Sequence, residues 1–214
     1  MNIPMELIFR QFENGPMDNF QYVIGDAATR EVAVVDPAWD ADIIEHEIAA
    51  VKGKVTAVFL THGHPDHVNA VGKFVIKHDV PVYISKHEIS ILKPRTKNLV
   101  EFDQYTKLKI GGIEFECLWT PGHSPGCTGF FYKNVLIAGD TIFIDGCGRC
   151  DLPGSNPRQQ YHSLYDVLMK LPDNTLLFTG HNYGPTPYAT LGEQKKTNPY
   201  LLCESEEDFL ATRM

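Results

Sequence analysis

Long apolar runs are absent from this 214-residue chain. No stretch approaches the roughly 20 residues that cross a bilayer, so no membrane-spanning helix is expected. Positive charge is scarce as well: 19 Lys and Arg face 27 Asp and Glu, for a formal net charge of −8. That balance argues against a nucleic-acid partner, whose phosphates need clustered cations, but leaves room for a small anionic substrate held by one or two. Cysteine is sparse and odd in number (Cys117, Cys127, Cys147, Cys150, Cys203), which fits a reducing compartment better than a disulfide framework. The run Met1-Asn2-Ile3-Pro4-Met5-Glu6 has neither a basic n-region nor an apolar h-region, so a cytoplasmic location is expected. Low-complexity segments, long charge runs and internal repeats are missing too. What is there, 43% hydrophobic and 21% charged, suits one domain over residues 1–214 with a full core.

Short apolar runs alternate with turn signals in the first third. Met5–Phe12, Phe20–Ile24 and Glu31–Val35 are separated by Asn14-Gly15-Pro16 and Gly25-Asp26, and predict consecutive antiparallel strands. Asp40–Val51 predicts a helix, because Ile43, Ile44, Ile48 and Val51 form one stripe and Gly53 ends it. Val55–Leu60 predicts a buried strand running directly into His62. Then come a helix at Asn69–Lys77, a strand at Val80–Ile84 and a short helix at Lys86–Leu92, an order that predicts helices covering a sheet. Strands return at Lys107–Ile110, Ile113–Trp119, Gly129–Tyr132 and Val135–Ala138. After the Gly- and Pro-rich loop Asp145–Pro157, the pattern predicts a helix at Arg158–Lys170, a strand at Thr175–Thr179 and a helix at Glu206–Thr212. Two β-rich halves with helices outside make an α/β fold of four layers, αββα.

The chemistry concentrates at the end of Val55–Leu60. His62, His64, Asp66 and His67 put four ligand-type side chains within six residues, next to a rigid element. His62 and His64 are two apart, so in an extended segment they point to one side and can grip one ion. Asp66 and His67 follow across a turn and face a second. Imidazole suits zinc, iron and related metals, and a carboxylate adds a harder oxygen. A single such histidine would ordinarily be a solvated loop residue; four ligand types directly after an apolar strand point to metal. His123, Asp140 and His181 stand where further strands end, behind Trp119–Gly122, Val135–Gly139 and Leu176–Gly180. Each alone reads as a turn residue or cap. Carried to the same sheet edge, they complete a set of seven.

His62-x-His64-x-Asp66-His67 followed by His123, Asp140 and His181 resembles the metallo-β-lactamase superfamily pattern in full. The resemblance implies the four-layer αββα metallo-β-lactamase sandwich and two divalent metal ions, zinc first, with iron or a mixed Zn/Fe pair as the alternatives. It implies that His62, His64 and His123 hold one ion, that Asp66, His67 and His181 hold the other, and that Asp140 bridges them. Thr120-Pro121-Gly122-His123-Ser124-Pro125-Gly126, Gly139–Phe143, Gly146–Arg149 and Gly180–Tyr183 resemble glyoxalase II and its short relatives, as do Thr190–Glu193 and Asn198–Leu201. The resemblance therefore implies hydrolysis of S-acyl thioesters such as hydroxyacylglutathione by a metal-activated hydroxide. Asp66 and Asp140 would orient it, Arg149 and Tyr183 would contact the thiol carrier, and Lys195 or Lys196 would add charge.

Asp151 stands where glyoxalase II has a second tyrosine, and the chain runs only a little past Leu201, so no separate C-terminal helical substrate domain is expected. Arg149-Cys150-Asp151 is similar to the Arg-Thr-Asp of persulfide dioxygenases. That likeness implies the alternative, one Fe(II) at His62, His123 and Asp140 acting on glutathione persulfide. A non-catalytic binding protein on this fold is disfavoured by the intact ligand set. Cys147-Gly148-Arg149-Cys150 is a C-x-x-C that reads more simply as structural than as redox-active. His46, His78, His87 and His162 read as surface histidines. The expected partner is a small-molecule thioester or thiol carrier, not nucleic acid or a membrane.

Overall fold

The computed structural model describes residues 2–92 and 96–213, and within it two six-stranded sheets lie face to face. The first holds β1 (Leu7–Glu13), β2 (Phe20–Asp26), β3 (Glu31–Val35), β4 (Lys54–Phe59), β5 (Val82–Ser85) and β6 (Leu99–Phe102) in sequence order. β1 to β3 run antiparallel, whereas β3 to β6 are parallel neighbours. Parallel neighbours need crossovers. They are α1 (Ala41–Ala50) between β3 and β4, then α2 (Pro65–Val68) and α3 (Val71–His78) between β4 and β5.

The second sheet is built from β7 (Lys107–Ile110), β8 (Ile113–Trp119), β9 (Thr128–Tyr132), β10 (Val135–Ile137), β13 (Leu176–Phe178) and β14 (Ala189–Thr190), in the order β14-β13-β10-β9-β8-β7. A separate hairpin pairs β11 (Ile142–Phe143) with β12 (Gly146–Cys147). Outside this sheet lie α4 (Pro157–His162), α5 (Leu191–Thr197) and α6 (Glu206–Arg213).

Side-chain alternation sets the layers. On β3, Ala33 and Val35 face the core between the sheets, while Val32 and Val34 pack outward with Ile44 and Ile48 of α1. The inner core joins Tyr22, Ile24 and Phe59 of one sheet to Phe115, Phe130 and Phe178 of the other. On the far side, Leu136 and Leu177 meet Leu164, Leu168 and Phe209. The four-layer αββα arrangement read from the sequence is the one observed. Among the described residues, no helix is long and apolar enough to cross a membrane.

Local departures from the predicted elements have identifiable causes. The helix expected over Asn69–Lys77 is α3, Val71–His78, and Pro65 starts a short unanticipated one, α2, just before it. The one expected over Lys86–Leu92 is a single 3₁₀ turn, Lys86–Glu88. Arg158–Lys170 begins as α4, capped by Asn156, then widens to a π turn over Ser163–Val167 and closes in a 3₁₀ turn, Leu168–Lys170. β6, β11, β12 and β14 were not anticipated; segments this short show no period, and their partners define them.

Candidate metal centre

All seven predicted ligands meet at the edge where strands of both sheets end. His62 and His64 follow β4, with Asp66 and His67 in α2; His123 follows β8, Asp140 follows β10 and His181 follows β13. His62, His67, His123, Asp140 and His181 are buried, whereas His64 and Asp66 are half-buried. Possible ligand atoms of His62, His64 and His123 all lie within 4.8 Å of one another, and so do those of Asp66, His67 and His181.

The imidazoles are aimed by acceptors behind them. His123 Nδ1 lies 2.8 Å from Arg149 O, and His181 Nδ1 lies 2.8 Å from Met17 O. A carbonyl only accepts, so each Nδ1 carries a hydrogen and each Nε2 is the nitrogen turned to the centre. His67 Nδ1 donates in the same way to Asp36 Oδ2 at 3.0 Å. Thr61 gives its hydroxyl hydrogen to Asp36 Oδ2 at 2.6 Å, which leaves its oxygen to accept from His62 Nδ1 at 3.0 Å. His62 Nε2 and Asp140 Oδ1 are buried with no hydrogen-bond partner.

This donor set fits divalent metal. Nε2 of His67 and Nε2 of His181 are 3.2 Å apart, and each is 3.4 Å from Asp66 Oδ2. Asp140 closes the figure at 3.4 Å from His67 and 3.2 Å from His181. Four donors arranged tetrahedrally about an ion at about 2.0–2.1 Å lie about 3.3 Å from one another, so the spacing is that of a coordination shell. On the other side, His64 Nδ1 and His123 Nε2 are 2.9 Å apart, with Asp140 Oδ2 at 3.5 Å from His123. Asp140 thus reaches both triads.

Charge follows the same division. Burial pushes His62 and His123 below the ordinary imidazole range and His64 down to about 4, and the neighbouring imidazoles add to it. Burial acts against protonation of His181 too, but Asp140 and Asp66 outweigh it and hold the ring at about 9. His67 is likewise raised well above its usual value, by Asp140 and Asp36 against burial. Burial would raise Asp66 and Asp140; their imidazole partners prevail and hold both carboxyls far below the usual range. The Asp66 side therefore attracts positive charge strongly, and the His62 side offers neutral nitrogen donors.

The family model described as the metallo-beta-lactamase superfamily matches residues 14–181. The chain belongs to the metallo-beta-lactamase superfamily. Within it, the chain is 31% identical over 195 residues to the probable polyketide biosynthesis zinc-dependent hydrolase PksB of Bacillus subtilis, covering 91% of this chain and 87% of that one. It is 33% identical over 178 residues to the hydroxyacylglutathione hydrolase of Dictyostelium discoideum, covering 78% of this chain and 63% of the other. The crystal structure of ETHE1 from Myxococcus xanthus is similar to it with a TM-score of 0.88 at 30% identity, covering 96% and 89% of the two chains. The likeness to glyoxalase II and persulfide dioxygenases drawn from sequence is consistent with these superfamily relatives.

In this superfamily member the centre opens into a cleft of about 810 Å³, lined by His64, Asp66, His123, Asp140 and His181 below and by Met17, Ile91, Phe143, Arg149, Leu152 and Tyr183 along its walls. Tyr183 lies flat on His181, ring centroids 4.6 Å apart and planes within 8°. Arg149 is exposed, with Nε and one terminal nitrogen each 2.6 Å from the carboxylate of Asp151. Lys195 and Lys196 are a correction. Neither lines the cleft: Lys195 Nζ is bound to Leu171 O at 2.8 Å and Asp173 Oδ1 at 2.6 Å, and Lys196 points to solvent from α5. His46 and His162 are exposed as expected, while His78 and His87 are half-buried, the latter stacked on Trp119. The five cysteines form no disulfide, and Cys147 is buried at the cleft wall.

Sequence reasoning missed four residues that hold the ligands. Asp36 orients His67 directly and His62 through Thr61. Asn19 donates to Asp66. Buried Glu88 accepts from Gly63 N at 2.8 Å, Ser124 Oγ at 2.6 Å and Gly126 N at 2.5 Å, clamping the loops of His62–His64 and His123. Gln160 accepts from His123 N at 2.8 Å and donates to Thr141 O. Asp36 had a readable signal, since it follows the apolar run Val32–Val35 just as Asp140 follows Val135–Gly139.

Proposed function

We propose that the chain is a metal-dependent hydrolase of S-acyl thioesters such as hydroxyacylglutathione. The observation that carries this reading is that members of both ligand triads, His64 and His123 of one and Asp66 and His181 of the other, line with Asp140 a single cleft that also bears Arg149 and Tyr183. Divalent ions at His62, His64 and His123 and at Asp66, His67 and His181, zinc in the first instance, would supply Lewis acidity and a water acidified to about pKa 7.

The chain's own residues do the rest. Asp36 and the carbonyls of Met17 and Arg149 keep imidazole lone pairs turned inward. Asp66 and Asp140, both held ionised, accept hydrogens and so orient the attacking water. For the same reason neither can serve as a general acid, and these are the only carboxylates among the described cleft-lining residues. That suits a thiolate, which leaves without being protonated first. Met17, Ile91, Phe143 and Leu152 shield the reacting bond from bulk water. Arg149 would take a carboxylate of the carrier by exchange with Asp151; an exposed, solvent-screened pair of this kind is weak, so the exchange is easy. The hydroxyacylglutathione hydrolase and zinc-dependent hydrolase among the relatives support the substrate class and the metal.

A second reading, a mono-iron persulfide dioxygenase using His62, His123 and Asp140, is favoured by Arg149-Cys150-Asp151 and by the likeness to the ETHE1 structure. One assay separates the two. Zinc-loaded and anaerobically iron-loaded protein are each offered lactoylglutathione and glutathione persulfide with an oxygen electrode in the cell. Thioester cleavage without oxygen uptake is expected. Oxygen uptake with the persulfide in the iron form alone, with no thioester cleavage in either, overturns the hydrolase.

A further inference from the structure

Asn19 sits in the turn before β2, buried to 1% exposure and outside every predicted ligand set. Its amide orientation is fixed by chemistry. The indole Nε1 of Trp39 can only donate, and it lies 2.8 Å from Asn19 Oδ1. The Nδ2 group therefore faces the other way, donating to Asp66 O at 3.2 Å and to Asp66 Oδ2 at 3.1 Å. The same residue reaches His181 through its backbone: residues 19 and 181 form an isolated antiparallel bridge. On either side, Phe20 N donates to Gly180 O and Asn182 N to Asp18 O, both at 2.8 Å, while His181 Nδ1 donates to Met17 O.

One turn of chain thus sets the separation of two ligands that come from different sheets, Asp66 after β4 and His181 after β13. The supports of the other triad are a different group of residues. His62 leans on Thr61, the Gly63 amide between His62 and His64 on Glu88, and His123 on Gln160 and the Arg149 carbonyl. No hydrogen bond described for His62, His64 or His123 involves residues 17–20. Asp36 serves both halves, through His67 and through Thr61 behind His62, whereas the contacts of Asn19 reach only the second half, which can therefore be weakened on its own.

We propose that Asn19 is the positioning residue for the second cation, the one taken by Asp66, His67 and His181, and that it controls how tightly this ion binds without setting the affinity of the first. The inference rests on the two-ion reading given above. Its carboxamide occupies one lone pair of Asp66 Oδ2 and fixes the plane of the carboxylate, so that the remaining lone pairs face His67 and His181. Asn19→Asp keeps the shape and still accepts from Trp39, but it replaces the donor facing Asp66 with a second negative oxygen. Asn19→Ala removes the side chain and leaves the backbone bridge to His181 in place.

The test is metal stoichiometry. Wild-type, N19D and N19A proteins are stripped with chelator, checked for folding by circular dichroism, and titrated with Zn²⁺ by calorimetry, with bound metal counted after gel filtration. Loss of an outer-shell partner weakens a metal by about 10–100-fold. The wild type is expected to take two ions. Each variant should keep the first within about threefold while the second weakens by that factor, so that one ion survives gel filtration. Two ions bound at wild-type affinity in both variants would overturn the role of Asn19. So would an equal loss of both ions, which marks a general structural effect. A wild-type protein that takes only one ion at any concentration overturns the two-ion reading and, with it, this proposal.

Discussion

A Cβ on Gly180 would stand 2.0 Å from Oδ1 of Asp140, so the carboxylate that reaches both triads occupies the space a side chain at 180 would fill. Gly180 is also 3.0 Å by the same measure from His67 Cε1. Gly180→Ala should therefore resemble Asp140→Ala, displacing the bridge and lowering thioester turnover by roughly a hundredfold or more, as expected when groups must sit within about 0.5 Å of their working positions. Metal content measured beside turnover checks this: G180A with full occupancy and normal turnover would show that Asp140 does not bridge.

Arg149 and Asp151 should act on substrate affinity in opposite directions. Removing a charge-assisted hydrogen bond costs about 1.5–3 kcal/mol, so Arg149→Ala should raise KM for a glutathione thioester by roughly ten- to a hundredfold, with a smaller effect on kcat. Asp151→Asn should lower KM, by no more than about fivefold, because the exposed pair it releases is weak. Steady-state kinetics on both variants decide it; unchanged kcat/KM in R149A would move the carrier elsewhere.

The metal-stripped protein should be most stable near pH 6.5. His62, His64 and His123 have folded pKa values below the ordinary imidazole value of 6.5, His64 at about 4, so the unfolded chain binds more protons as pH falls from 6.5 and stability is lost. His181, at about 9, and His67 are raised, so their contribution is fully present below 6.5; that of His181 disappears as pH climbs to 9, and that of His67 as pH climbs through its own raised value. Metal replaces those protons, and its affinity should grow over the same alkaline interval. Thermal melts should show a Tm peak near 6.5 in chelator and no alkaline fall with zinc. A flat Tm from 6.5 to 9 in chelator would mean that His67 and His181 are neutral.

Glu88 should matter to stability through its three donors. Glu88→Ala leaves the Gly63 and Gly126 amides and the Ser124 hydroxyl buried without their acceptor, each at about 1–3 kcal/mol. Allowing for relaxation, a loss of about 3 kcal/mol is expected in urea unfolding of the stripped protein. A loss below about 1 kcal/mol would show that water or another group takes over the clamp.

The layers and ligands were legible from sequence for a simple reason. Strand alternation in Val32–Val35 and the helical stripe of Ile44 and Ile48 carry their own period, and His62 to His67 are ligand types at ligand spacing. What was not legible depends on distant partners. Glu88 lies in a segment that reads as an ordinary short helix, and only the fold brings it to Ser124. Lys195 and Lys196 looked available because sequence shows charge but not direction; α5 points Lys195 at Asp173. β6 and β14 exist only because neighbouring strands supply their hydrogen bonds.

His67 and His181 touch at 3.2 Å, yet 114 residues separate them along the chain. A ribosome adding about 5–20 residues per second needs about 6–23 s to travel from one to the other. Throughout that interval His62, His64, Asp66 and His67 are an open peptide that binds whichever ion is at hand, with affinities in the Irving–Williams order, while the finished cage selects by geometry. Protein produced in zinc-rich and in iron-rich medium should therefore carry different ions. The same protein unfolded, stripped and refolded with both ions present should converge on one, and metal analysis of the two preparations reads out which history each molecule has had.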